Sequence, residues 1–186
     1  MSLKSCVLAA ALLATTATSA AAQARAPDAA QIAAGVDRYL ALREVAFSTK
    51  PEDVEVQAKP GEDQVYGVIV EFQEEGALVT VVGFASGDAS VYFSTGAGKI
   101  GGRREALVAT AARSLVAQAQ VQLTDLPSVP QYPTPVPGHV RVYALTTGGL
   151  RSAEENRGAI EDPADRLNLL FAGAQRILSE FRAAGQ

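Results

Sequence analysis

Gln64-Val65-Tyr66-Gly67-Val68-Ile69-Val70-Glu71-Phe72 decides the fold class, together with the two apolar runs that follow it. Tyr66, Val68, Val70 and Phe72 fall on one face of an extended chain, and Val65, Gly67, Ile69 and Glu71 on the other. A period of two with this much Val and Ile marks a strand with at least one buried face. Glu74-Glu75-Gly76 is a turn, residues 77–85 read as a second strand, Ser86-Gly87-Asp88-Ala89 turns again, and residues 90–95 read as a third. Strands joined by turns this short run antiparallel, because parallel neighbours need a crossover of a dozen residues or more.

Upstream of the meander, Ile32, Val36, Tyr39, Leu40 and residues 43–47 recur at helical spacing, opposed by Gln31, Asp37, Arg38 and Glu44. The pattern predicts one amphipathic helix of about five turns. Residues 48–63 form a connecting loop with a short extended piece at Val54-Glu55-Val56. Downstream, a glycine-rich bend at 96–102 leads into a helix over 104–123 with an inward face of Val108, Ala111, Ala112, Leu115, Val116 and Ala119. Five prolines between 126 and 138 remove backbone donors and make that stretch a stiff loop. Val140, Val142 and Ala144, alternating with Arg141, Tyr143 and Leu145, form a fourth strand, and residues 150–154 a short fifth. Asp162 and Pro163 supply an N-cap and first-turn proline for a last helix lined by Leu167, Leu170, Phe171, Ala174, Ile177, Leu178 and Phe181. The order of helix, three strands, helix, two strands, helix predicts an α+β fold. Its antiparallel sheet has about five strands, a meander of three plus a hairpin, packed with two to three helices.

Ahead of all this, Lys4 precedes the apolar run over residues 6–14, followed by Thr, Ser and Ala and then Ala22-Gln23-Ala24. A positive end, a short apolar helix and small residues before a cut are the three parts of a secretory signal peptide. The apolar run is too short for a spanning helix, which needs roughly 20 residues. Cleavage after Ala24 leaves residues 25–186 as one domain, periplasmic or secreted, with no stable membrane insertion. It also removes Cys6, the only cysteine, so the mature chain forms no disulfide.

The formal charge of −4 offers no large positive field for a phosphate backbone, which argues against nucleic-acid binding. One histidine, His139, without a mature cysteine, argues against a structural zinc site. No Gly-x-Ser-x-Gly elbow occurs to pair with His139. Glu74-Glu75, Glu154-Glu155 and Glu161-Asp162 read as solvated surface acids. Pro127-Ser128-Val129-Pro130 and Pro130-Gln131-Tyr132-Pro133 have the spacing that proline-recognising domains read, though a stiff crossover serves an exported chain better.

Gly96-Ala97-Gly98-Lys99-Ile100-Gly101 matches the G-x-G-x-x-G spacing of dinucleotide sites. Here it follows a hairpin strand and lacks an acid at the end of a next strand, so no nicotinamide cofactor is expected. It also fails as a P-loop, because Ile100 stands where Ser or Thr must hold magnesium. The looser candidate is a small anionic ligand held by Gly96, Gly98, Lys99, Gly101, Gly102, Arg103 and Arg104, flexible amides and three cations beside a helix start.

The segment from Ala89 through Val91-Tyr92-Phe93-Ser94-Thr95-Gly96 to Ile100-Gly101-Gly102, with Pro137-Gly138-His139-Val140-Arg141-Val142-Tyr143, resembles a group of small uncharacterised bacterial proteins. They share an "SLYFSTGGG-IGG" segment and a "GRVRFY" strand. The resemblance spans about residues 64–183 and implies a compact domain, with no catalytic residues to carry over. Ala97 and Lys99 depart from the all-glycine form. In element order the chain is also similar to roadblock, longin and profilin-like domains, which implies pairing or presentation of a surface to a protein partner. These features together lead to an exported, non-catalytic binding or assembly module, including as a homodimer through a helix or sheet edge. The alternative is an anionic-ligand binder using residues 96–104, and the third reading is a hydrolase with an unrecognised site.

Overall fold

The computed structural model describes residues 28–59 and 61–185; the expected signal peptide lies outside the described residues. The fold is α+β, with an antiparallel six-stranded sheet between two layers. The strands are β1 (Val65–Glu74), β2 (Ala77–Phe84), β3 (Ala89–Phe93), β4 (Gly98–Ile100), β5 (His139–Thr146) and β6 (Gly149–Asn156), in the order β4-β3-β2-β1-β5-β6. The four α-helices are α1 (Ala29–Ser48), α2 (Ala106–Val121), α3 (Arg157–Ile160) and α4 (Asn168–Ala183). The added strand, β4, lies inside the glycine-rich bend and pairs Ser90 with Ile100 and Val91 with Lys99. Among the described residues no helix is long and apolar enough to cross a membrane.

The main core lies under α2 and α4. Val68, Val70 and Phe72 of β1 and Val79 and Val81 of β2 meet Val108, Ala112, Leu115 and Ala119 of α2 and Leu170, Phe171, Ala174 and Ile177 of α4. Every inward residue expected for these two helices is buried. The small alanines of α2 let its backbone come close to the sheet, where dispersion contacts are densest. The last helix starts later than Asp162-Pro163 suggests. Asp162 and Asp165 each accept an amide two residues on, from Ala164 at 2.9 Å and Leu167 at 2.8 Å. These side-chain turns compete with helix formation until Asn168.

The opposite face of the sheet carries Ile69, Val82, Phe84, Tyr92, Tyr143 and Leu145. It is covered by α1 and by the proline-rich segment, so β1 is buried on both sides. Tyr66 was expected beside Val68, but pairing shifts between Val65–Thr146 and Gly67–Leu145, making Tyr66 the extra residue of a β-bulge. The bulge turns Tyr66 to the α1 side and Val65 to the other. Val54-Glu55-Val56 is not extended: Pro51–Val54 is a 3-10 turn that buries Val54 and ends at Glu55 with φ 64°. The proline segment stays a loop, bridged once at Ser128–Arg151, and it shields part of the outer edge of β6.

Capping starts α1 at Asp28, whose Oδ1 accepts the Gln31 amide at 2.9 Å while Gln31 Oε1 accepts the Asp28 amide at 3.0 Å. The helix meets the β3–β4 turn backbone to backbone. A Cβ at Gly35 would overlap the Thr95 carbonyl, and one at Gly96, where φ is +87°, would lie 2.5 Å from Gly35 Cα. Alanine normally stabilises a helix interior over glycine by about 1 kcal/mol. Gly35→Ala is expected to do the reverse here and destabilise by about 1–3 kcal/mol through overpacking, as read by urea unfolding. A more stable variant would show that the close approach does not hold α1.

Candidate functional site

Residues 96–104 do not form a single cradle. Gly98, Lys99 and Ile100 belong to the β4 ladder, and Gly101, with φ +88°, turns the chain into a 3-10 turn at Gly102–Arg104. Gly102 is buried where a Cβ would lie 2.8 Å from the Phe181 ring. Lys99 Nζ donates to the Phe181 carbonyl near the end of α4 at 3.0 Å. Arg103 donates two hydrogen bonds to the Glu55 carboxylate at 2.9 and 3.0 Å and sits 3.8 Å from Asp88. Its hydrogen bonds hold the Glu55 carboxyl below the usual carboxylate range. Arg104 is exposed and has no ion-pair partner among the described residues. The 3-10 turn also separates the glycines from the start of α2, so their amides are not its first turn. The cations therefore diverge, and two are already engaged.

His139 opens β5 half-buried, with Nδ1 3.3 Å from the Pro137 carbonyl. Glu75, Glu161 and Asp162 are exposed, and one acid of each pair meets an arginine. Glu74 accepts from Arg182 at 3.1 Å, Glu154 pairs with Arg141, and Glu161 accepts from Arg157 at 3.5 Å.

The densest polar constellation lies between α1 and the sheet. Glu71, in the middle of β1, is fully buried and receives a two-pronged contact from Arg43 of α1, Nε to Oε1 at 2.7 Å and Nη2 to Oε2 at 2.8 Å. Thr80 Oγ1 donates to Glu71 Oε1 at 2.9 Å, which leaves Tyr39 OH to donate to Thr80 at 2.9 Å. Arg43 Nη2 also donates to the Tyr132 carbonyl at 2.6 Å, and Tyr143 OH donates to the Pro133 carbonyl. The Arg43 guanidinium sits 4.7 Å from the centre of the Phe47 ring, which stacks on Tyr132 at 4.2 Å and 11°. Burial, then the charge of Glu71, pushes the Tyr39 phenol up to about 12. Both Glu71 oxygens are occupied by donors within the fold. This carboxylate is committed to holding α1 and the proline segment to the sheet.

The network keeps one part of the expected stripe of α1 inside and leaves another part out. Gly35, Tyr39, Arg43 and Ala46 face the sheet, while Ile32, Val36 and Leu40, expected in the buried stripe, are 54%, 39% and 51% exposed. Val45 on another flank is also exposed. The outer ridge at positions i, i+4 and i+8 is the largest departure from what periodicity suggests. Arg43 and Glu71 were each visible as a lone charge in an apolar pattern, a signal of mutual pairing that neither element reveals alone. No family model, curated protein or solved structure matches the chain.

Arg43→Met leaves Glu71 buried with the Thr80 hydroxyl but no countercharge, at an expected cost of about 3–5 kcal/mol in urea unfolding. Replacing both, Arg43→Met with Glu71→Leu, is expected to recover most of that loss. A double variant as weak as the single one would show that the ion pair is not the source. At high pH the unfolded chain releases the tyrosine proton near 10 while folded Tyr39 keeps its own until about 12. Stability is thus fully present below pH 10 and falls between those values, a slope that Tyr39→Phe should reduce.

Proposed function

We propose that this chain is an exported, non-catalytic assembly module that pairs with a second copy through the exposed Ile32-Val36-Leu40 ridge of α1. The observation that carries it is the exposure of Ile32, Val36 and Leu40 on a helix whose inner face holds an arginine. Apolar side chains left in water in a row attract a complementary apolar surface. Residues spaced four apart form one ridge of a helix, and two such ridges interlock when helices cross at the commonest packing angle. Asp37 and Glu44 are exposed charged residues on the same helix and would remain at the rim.

A second reading, a small anionic ligand at residues 96–104, is favoured by one placement. Arg38, exposed and without an ion pair among the described residues, lines a shallow cleft of about 380 Å³ with Gln31, Gly96 and Ala97. The cation that such a ligand would meet is Arg38, more readily than Lys99 or Arg103.

Protein exported with its own leader is expected to begin at Arg25 by intact mass and to run as a dimer by size exclusion with light scattering. Val36→Asp with Leu40→Lys should give a monomer of nearly unchanged Tm, because exposed substitutions move stability by about 0.5 kcal/mol or less. A wild-type monomer at every accessible concentration would sink the pairing. If that monomer gained Tm with citrate, and lost the gain in Arg38→Ala, the ligand reading would replace it.

A further inference from the structure

We infer that the cleft between the end of α1 and the β5–β6 hairpin is a binding site for a small molecule presenting one uncharged aromatic ring system. The cleft measures about 240 Å³ and is walled by Phe47, Tyr66, Pro130, Tyr132, Leu145 and Leu150. Four separate stretches of chain converge on it: α1, β1, the proline segment and the β5–β6 hairpin. Half of those side chains are aromatic and no charged residue lines it. Attraction must come from ring stacking and apolar contact.

Hydroxyls near the cleft are already bonded within the fold. Tyr66 OH donates to the Thr49 carbonyl at 3.0 Å, Thr146 Oγ1 to the Gly149 carbonyl at 2.7 Å, and Tyr132 OH to Glu44 at 3.0 Å. A charged ligand would meet no countercharge among the lining residues, which selects against it. Size selects as well: the volume is below the range of drug-sized sites and suits one or two fused rings.

The walls are built in advance. Phe47 is stacked on Tyr132 and meets Tyr143 edge-on at 4.9 Å and 88°. Arg43 fixes the Tyr132 backbone from behind, so the buried ion pair holds the rings without a ligand's help. Tyr66 reaches this side of the sheet because of the β-bulge, a device that re-aims side chains beside binding sites. A preformed site loses little conformational freedom on binding. None of Ile32, Val36 and Leu40 lines the cleft, so the site goes beyond the pairing of α1 and does not depend on it.

The test is a titration of the full mature chain with indole, followed by methyl NMR of Leu145 and Leu150. Saturable shifts confined to the methyls around the cleft are expected, in the affinity range of fragment-sized ligands, with no such shifts from benzoate. Leu150→Trp, and separately Pro130→Trp at the exposed rim, should fill the cleft and weaken indole by about tenfold or more. Two variants guard against misfolding of either one. Val36→Asp with Leu40→Lys should bind indole as the wild type does, even if the chain proves monomeric. Indole shifts that do not saturate, that spread over the surface, or that survive both filling variants would overturn the proposal. N-acetyltryptophanamide binding more tightly than indole would overturn it in favour of a partner's aromatic side chain.

Discussion

The hydrogen-bonded pair of Arg43 and Glu71 is the constraint on which the α1 side of this molecule depends. Glu71 sits at the centre of the sheet, with no exposure, on a strand buried on both faces. A carboxylate there is tolerable only if donors fill its lone pairs, and the fold provides them from α1 and β2. The guanidinium it recruits must reach down from α1 in one orientation. That requirement acts together with the burial of Tyr39 and Ala46 to set which face of α1 looks inward.

Three consequences follow through packing. The glycine at 35 is brought against the β3–β4 turn, so helix and turn backbones touch and the glycine-rich segment becomes a mould for α1. The third donor of Arg43 reaches the Tyr132 carbonyl and ties the proline segment to the same helix. Phe47 then stacks on Tyr132, closing one wall of an uncharged aromatic cleft. With Arg43 and Tyr39 committed to the buried network, α1 leaves Ile32, Val36 and Leu40 exposed along one ridge. The opposite layer obeys the ordinary logic of apolar burial and needs no such device.

Glycines and cations that cluster in sequence are dispersed in space by strand geometry. Successive residues of β4 point to opposite faces, sending Lys99 towards α4 while its neighbours stay near α1. Arg103 turns back to the loop after α1 and neutralises Glu55. A linear motif of amides and cations promises a shared ligand only where the backbone curls around one point, and a hairpin edge strand does not curl. Arg38, remote in sequence, lines one cleft with Gly96 and Ala97 of the glycine turn, because helix α1 lies across it.

The amino-acid order by itself determined the α+β class, the antiparallel meander, the proline loop and the inward faces of α2 and α4. Each is a local or periodic property, set by turn length, ring constraint and the spacing of apolar residues against one apolar partner. Only the tertiary structure decided the orientation of α1, the side on which Tyr66 emerges, the start of α4 and the strand within 98–100. The orientation of α1 balances apolar burial against one buried charge, whose partner lies 28 positions away. The bulge at Tyr66 depends on the register of β1 against β5, which is separated from it by three strands, a helix and a loop. Periodicity reports what a segment prefers when one face meets oil and the other water. Where both faces meet protein and one partner is an ion, the neighbour decides.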